Sequence, residues 1–294
     1  MIPKYDVKTA LIDGDILVYR AAWACERSIY RVYINNTLMD LGDRPTKTLI
    51  KSFIKDNKVD PLTLRITKKI ELDPISFALN IVKKTIIRIT TNTKTSERVI
   101  YLTALNDKTN FRTKVAKTKE YKGNRKQVKP QYYNQIRTYL ETMHGSIIVS
   151  GQEADDALGV AQSSSPPGQT IICSIDKDLM MIPGWHYDIV KEYVSYISEL
   201  DGLKAFYKQM LTGDSVDNIP GLRGIGPVTA SNLLSQCDSE EALDYVVKQV
   251  YKKELGSSMT KEELISRFIE VGKLLWIRRK ENEEWLPIWR RSNG

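Results

Sequence analysis

TALIDGDILVYR, residues 9–20, decides the fold class: an apolar run closes on Asp13 and passes at once into a helical pattern from Ile16. Three further runs have the same form. VIYLTALND ends at Asp107, SIIVSGQE at Glu153 and IICSID at Asp176. Helical spacing lies between them, over Ile16–Ala24, about Pro74 to Thr91, parts of 108–137, and Ala154–Gln162. Short apolar strands alternating with helices predict βαβ units, and hence a parallel sheet covered on both faces. Ligands of such sheets bind beyond the carboxyl ends of the strands. Each run is therefore expected to bring a carboxylate to the same edge.

Two insertions interrupt this pattern. Residues 28–73 alternate weakly (RVYIN, LTLRITKKIEL) and read as β-hairpin material with no evident task, while SSSPPGQ, 163–169, is a surface loop by composition. Beyond Lys204 the spacing turns helical: one helix to about Thr212, a glycine-rich turn, a helix from about Pro227, and two more to about Trp276. The expected division is a catalytic domain over 1–200 and a helical region over 201–294.

Composition removes whole classes of function. The chain has 294 residues, 41% of them hydrophobic and 27% charged, a globular balance that excludes wholesale disorder. No apolar run approaches the ~20 residues of a membrane span, and MIPKYDVKTA lacks the pattern of a signal peptide. Cys25, Cys173 and Cys237 are too few and too scattered for a disulfide scaffold or a CxxC zinc site. With only two histidines, His144 and His186, a multi-histidine metal centre is excluded. The expectation is a protein of a reducing compartment whose chemistry rests on carboxylates.

Net charge is +8, and it is concentrated. Between Lys108 and Arg137 ten basic residues face one acid, Glu120, with Phe111, Tyr121, Tyr132 and Tyr133 interleaved. Cations that neutralise phosphates, next to rings that stack on bases, are the composition of a nucleic-acid tract.

Against that tract stand acids in close groups: Asp13 and Asp15; Glu153, Asp155 and Asp156; Asp176 and Asp178; Asp214 and Asp217. Singly, each has an ordinary explanation. Asp15 is placed to cap a helix, the 153–156 acids suit a helix dipole, and Asp214 and Asp217 flank a turn. Together with Asp107 they would repel one another at one sheet edge. Divalent cations relieve that conflict, and all-oxygen ligands favour Mg²⁺ or Mn²⁺. Two such ions about 4 Å apart suit phosphodiester hydrolysis. In GLRGIGPVTASNLL, residues 221–234, glycines allow close backbone approach to a phosphate and Pro227 suits the first turn of a helix. No Walker A lysine accompanies it.

With these motifs in order, the chain resembles the 5′-nucleases: phage 5′→3′ exonucleases, flap endonucleases and the 5′-nuclease domain of bacterial DNA polymerase I. The resemblance is carried by LIDGD, EYKGNR (120–125), EADD (153–156), SIDKD (174–178) and GDSVDNIPGLRGIGPVTA from Gly213. It implies a PIN-like α/β domain, a basic helical arch over about 108–143, and a helix–three-turn–helix near 204–236 that holds duplex DNA. It further implies a first metal site at Asp13, Asp107, Glu153, Asp155 and Asp156, and a second at Asp176, Asp178, Asp214 and Asp217. Lys122 and Arg125 would face the scissile phosphate and Tyr121 would stack on substrate. Arg112, Lys114, Lys117, Lys119 and Lys126 would attract DNA, as would Gly221, Gly224 and Gly226, whose backbone would also hold K⁺. Two Mg²⁺ or Mn²⁺ ions, a monomer, a cytoplasmic setting and a phage-type enzyme acting on DNA with a 5′ end or flap follow as expectations. An RNA–DNA hybrid substrate and a non-catalytic DNA binder are the alternatives; the near-complete acidic set speaks against the second.

Overall fold

The computed structural model describes residues 5–42, 45–125 and 128–291. Strand β1 (Thr9–Asp13) leads directly into α1 (Gly14–Ala24). A long hairpin follows, β2 (Glu26–Ile34) and its return strand, with the two-residue β3 (Thr37–Leu38) and α2 (Lys47–Asp56) between the arms and β4 (Leu64–Leu72) closing it. Next come α3 (Ile75–Thr93), β5 (Glu97–Thr103), α4 (Phe111–Val115), α5 (Tyr133–His144) and β6 (Ile147–Val149). Then follow α6 (Ala154–Ser164), β7 (Thr170–Ser174), β8 (Gly184–Asp188) and β9 (Tyr193–Ile197). The remainder is α7 (Glu199–Thr212), the short β10 (Gly213–Asp214) and β11 (Ile219–Pro220), α8 (Pro227–Leu234), α9 (Glu240–Leu255) and α10 (Lys261–Leu275).

The main sheet has the order β6-β5-β1-β7-β8-β9, parallel except for β9. Every residue of β7 is buried, as a strand covered on both faces must be. Alternate residues serve two cores. Ala10, Ile12, Ile171 and Cys173 pack with α1, α3 and α5, whereas Leu11 and Ile172 pack with α6 and the C-terminal helices. From β1 the chain builds outward to β5 and β6, then crosses back to place β7 on the other side of β1. The sheet therefore changes direction between β1 and β7, the crevice where parallel sheets bind ligands.

Two expectations need correction. The segment 108–143 is not a helical arch: among its described residues only α4 and α5 are helical, and 116–125 and 128–132 run as turns and extended chain. It is held down because the Lys117 and Thr118 amides donate to the buried Glu270 of α10 at 2.6 and 2.7 Å. Nor does residue 200 divide two cores, since Leu11 and Ile172 share one apolar cluster with Phe206, Leu243 and Trp285. The insertion is a hairpin as expected, but it also contains α2.

A buried ion pair ties α4 and α6 to the end of α10. Arg112 donates to both oxygens of Asp156, at 2.5 and 2.9 Å, and to the carbonyls of Leu274 and Trp276. Burial alone would push the Asp156 carboxyl up, but the Arg112 guanidinium outweighs it and holds the group below its ordinary range. Removing one partner of such a pair strands a buried charge. Arg112→Ala is expected to lower unfolding stability by about 3–5 kcal/mol in urea titration, and Arg112→Lys to recover little of it because the fork geometry is lost.

Candidate active site

Asp13 ends β1 and caps α1. Its carboxylate accepts from the Ile16 amide at 3.1 Å and the Ser174 hydroxyl at 2.7 Å, across the crevice between β1 and β7. Gly14 follows because any side chain there would meet the Tyr101 carbonyl at 2.6 Å. Burial, with Asp15 and Asp176 nearby, pushes the Asp13 carboxyl up to about 7 despite those hydrogen bonds. Asp155, in the first turn of α6, is raised well above its ordinary value by burial and by Asp13, Asp176 and Glu153.

Across the crevice, Asp176 receives the Asp178 amide at 2.9 Å. Asp178 opens a turn of 3₁₀ helix and accepts from Gln209 of α7 at 2.6 Å. Burial, Asp176 and Asp214 push its carboxyl up to about 7. Asp214 is buried and turned by the Val216 amide at 2.7 Å. Asp217 accepts from Tyr121 at 2.7 Å and Arg125 at 2.6 Å.

Cations border the acids. Lys122 pairs with Glu153 and stands 3.7 Å from Asp217. Its backbone is left-handed, φ +58°, unusual for a side-chain-bearing residue, and is pinned by the Lys122 amide donating to the Asp217 carbonyl at 3.0 Å. Asn124 and Asn218 complete the joint, each donating to a carbonyl of the opposite segment, Ser215 and Glu120, at 2.7 and 2.8 Å. The EYKGNR and GDSVDN stretches, some ninety residues apart in sequence, are thus one structural unit.

Seven of the expected metal-site acids lie in this region: Asp13, Glu153, Asp155, Asp176, Asp178, Asp214 and Asp217. Two do not join them. Asp156 is spent on Arg112 inside the core. Asp107 folds back, accepting from Thr109 and from the Gly151 amide at 2.6 Å, and the Thr109 hydroxyl bond is the main reason its carboxyl lies below its ordinary value. Asp15, expected as a cap, instead reaches the end of β5, where it accepts from the Thr103 amide at 3.1 Å and Arg137 at 2.9 Å.

Among the expected DNA contacts, Arg112 is buried, and Tyr121 is 9% exposed with its hydroxyl held between Asp217 and Glu153, so its ring is not offered for stacking. Lys114, Lys117 and Lys119 are exposed; Lys126 lies outside the described residues. Gly221 is required by packing, since a Cβ would meet the Thr212 carbonyl at 2.1 Å, whereas Gly224 (φ +77°) and Gly226 open onto free space before α8. Sequence reasoning missed Ser174, Gln209 and Arg137. Ser174 had a signal in its place at the head of the SIDKD motif and Arg137 in closing the basic tract; Gln209 had none.

Among the described residues no three of these side chains are yet drawn close enough to hold a metal ion. The donor chemistry nonetheless fits hard divalent cations: oxygen ligands only, and buried carboxyls whose protons are retained for want of positive charge.

Residues 67–209 match the family model of the 5′-3′ exonuclease N-terminal, resolvase-like domain. Over that stretch, just under half of its length, the chain is similar to 5′-3′ exonucleases. It is 33% identical to DNA polymerase I of Pseudomonas aeruginosa over 135 residues, 40% of this chain and 14% of that protein. To the 5′-3′ exonuclease of Buchnera aphidicola it is 31% identical over 173 residues, 52% of this chain and 58% of the relative. It thus spans less than two thirds of either relative. The fold is shared with the bacteriophage T5 D15 flap endonuclease in its complex with DNA and metal ions, at a TM-score of 0.56 and 15% identity, covering 90% of this chain and 89% of that one. Among the described residues no helix is long and apolar enough to cross a membrane.

The raised carboxyls give a pH dependence of known sign. The native chain keeps protons on Asp13 and Asp178 up to about pH 7, whereas the unfolded chain loses them near 4. Between those limits the native state binds more protons, so stability of the metal-free chain falls as pH rises. Millimolar Mg²⁺ is expected to raise the melting temperature more at about pH 8 than at about pH 5, as calorimetry with and without EDTA would measure. An equal rise at both would mean the acids are not the binding site.

Proposed function

We infer that the protein is a divalent-cation-dependent 5′→3′ exodeoxyribonuclease that also cuts 5′ flaps. The observation carrying this reading is the convergence of seven carboxylates on the β1–β7 crevice beside Lys122 and Arg125, with too little positive charge to neutralise them. The T5 relative, of the same fold and solved with DNA and metal ions, supports it.

Asp13, Glu153 and Asp155 on one side, and Asp176, Asp178, Asp214 and Asp217 on the other, would hold two Mg²⁺ or Mn²⁺ ions. Bound there, such ions activate water and stabilise the leaving oxygen of a phosphodiester. Lys122 now neutralises Glu153, and Arg125 neutralises Asp217. Once those carboxylates have other counter-charges, both cations are free to turn to the reacting phosphate. Lys122 does so from a backbone already fixed in place, which limits reorganisation. Ser174 and Gln209 orient Asp13 and Asp178. Lys114, Lys117 and Lys119 attract the strand from outside the crevice. The turn 221–226, with open space at Gly224 and Gly226 before the N-terminus of α8, suits duplex backbone and a K⁺ ion.

Asp176→Asn is expected to abolish cleavage of a 5′-labelled duplex in Mg²⁺ while leaving DNA affinity equal or higher; activity in EDTA matching that in Mg²⁺ would refute the assignment. Lys122→Ala should slow single-turnover cleavage by roughly 10²–10³-fold even at saturating enzyme. Lys117→Ala should be rescued by excess enzyme or low salt. Gly226→Val is expected to weaken duplex binding selectively, and it tests the turn more cleanly than Gly224, whose positive φ would strain any replacement. An RNA–DNA hybrid in parallel reads out sugar preference.

A further inference from the structure

Among the described residues of 26–72, none bonds to an acid of the carboxylate centre. In the hairpin Glu26 stands opposite Leu72 and Ile34 opposite Leu64. Paired residues share a face, so Arg27, Ile29, Arg31 and Tyr33 lie with Arg65, Thr67, Lys69 and Glu71. The opposite face is covered only in part: Val32 is 1% exposed there and Lys47 of α2 sits 5.9 Å from the Tyr30 ring centre, while Ile66, Ile70 and Leu72 remain exposed. The first face is the open one, and a groove of about 470 Å³ along the hairpin takes Arg31, Tyr33 and Lys69 from it and Tyr30, Val32 and Lys68 from the other. Arg65 stacks on Tyr33 at 4.3 Å. Arg27 pairs with Asp73 and Lys69 lies 3.6 Å from Glu71. Arg31 and Arg65 form no ion pair among the described residues.

The hairpin's position gives this face its meaning. Helices α3 and α5 run into the starts of β5 and β6, so their own first residues lie at the carboxyl edge of the sheet, with the acids. The hairpin is anchored at that same edge: the Gln131 amide donates to Glu26 at 2.6 Å, the Tyr132 hydroxyl to the Asp73 carbonyl at 3.0 Å, and the Asp73 amide to the Cys25 carbonyl at 3.0 Å. It rises on the side of α1, α3 and α5, whereas the 221–226 turn belongs to the opposite core. The acids stand between them. A substrate whose duplex rests on that turn would present its remaining strand on the hairpin side.

We propose that the open face of the β2–β4 hairpin binds the single-stranded segment of the substrate beyond the reacting phosphate, through Arg31, Arg65 and Lys69 with Tyr33 as a stacking platform. This rests on the 5′-nuclease reading. Bases in a single strand expose the ring faces that Tyr33 and Arg65 can stack against, and a duplex hides them.

The test compares wild-type chain with the surface variant Arg31→Gln/Arg65→Gln/Lys69→Gln in EDTA. The probes are a duplex carrying a long 5′ oligo-dT tail and the same duplex without it. For the tailed probe the variant is expected to lose about 10-fold in affinity, and its salt slope to fall by about two units, near 0.7 for each single-strand contact removed. The tail-less probe should bind unchanged. Equal loss on both probes would make the face a duplex contact, and no loss on either would remove it from the interface; both overturn the proposal. A second readout needs no variant: 5-iododeoxyuridine in the tail should photocrosslink to wild-type peptides from 27–34 or 64–72, and crosslinks confined to other regions overturn it. If wild-type chain cleaves the tailed probe in Mg²⁺ yet these results fail, only this inference falls. If it binds neither probe, the nuclease reading falls with it.

Discussion

Like charges at close range, in a place where they cannot be diluted by water, set the terms for this molecule. The parallel sheet delivers Asp13 and Asp176 to adjacent strand ends, and α6 and the β10 segment add four more acids around them. Such a cluster is unfavourable to fold. It persists because retained protons, a serine, a glutamine and the two cations of EYKGNR soften it in the absence of metal. The pinned backbone of Lys122, the two asparagine joints and the docking of 213–218 all follow from the need to bring positive charge to this spot.

What surrounds the crevice is rigid for a different reason. Arg112 and Asp156 neutralise each other within the core and fasten α4, α6 and the chain after α10 together. Asp155 and Asp156 therefore act in opposite ways although they are neighbours in sequence: one adds to the electrostatic conflict, the other anchors the wall that contains it.

That division explains how far the sequence could be read. Strand ends, the helices between them and the carboxylate edge were legible because apolar runs closing on an acid repeat four times, and hydrophobic period reports topology. Direction around a helix axis is harder. Successive residues of a helix point about 100° apart, so EADD announces a cluster without saying that its last acid turns inward. Asp107 lies four residues beyond the end of β5, far enough for a turn to fold it away from the edge. Charge composition likewise marked 108–137 as basic but could not reveal that Glu270, more than 130 residues downstream, holds that segment flat, or that Arg112 and Tyr121 are buried. Helix α2 was within reach, since Ile50, Phe53 and Ile54 keep helical spacing, but alternation in the flanking strands masks it.

The hairpin carries one more consequence. Strand β4 is the outer strand of its three-stranded sheet, nine residues long, with Ile66, Ile70 and Leu72 each more than 40% exposed. A free edge of that length and character is a template on which a second copy could add a strand. Arg65, Lys68 and Lys69 are set among those apolar residues, so two such edges approaching each other would bring like charges together. Exchanging these cations for apolar residues would therefore favour association edge to edge, whatever happens at the crevice.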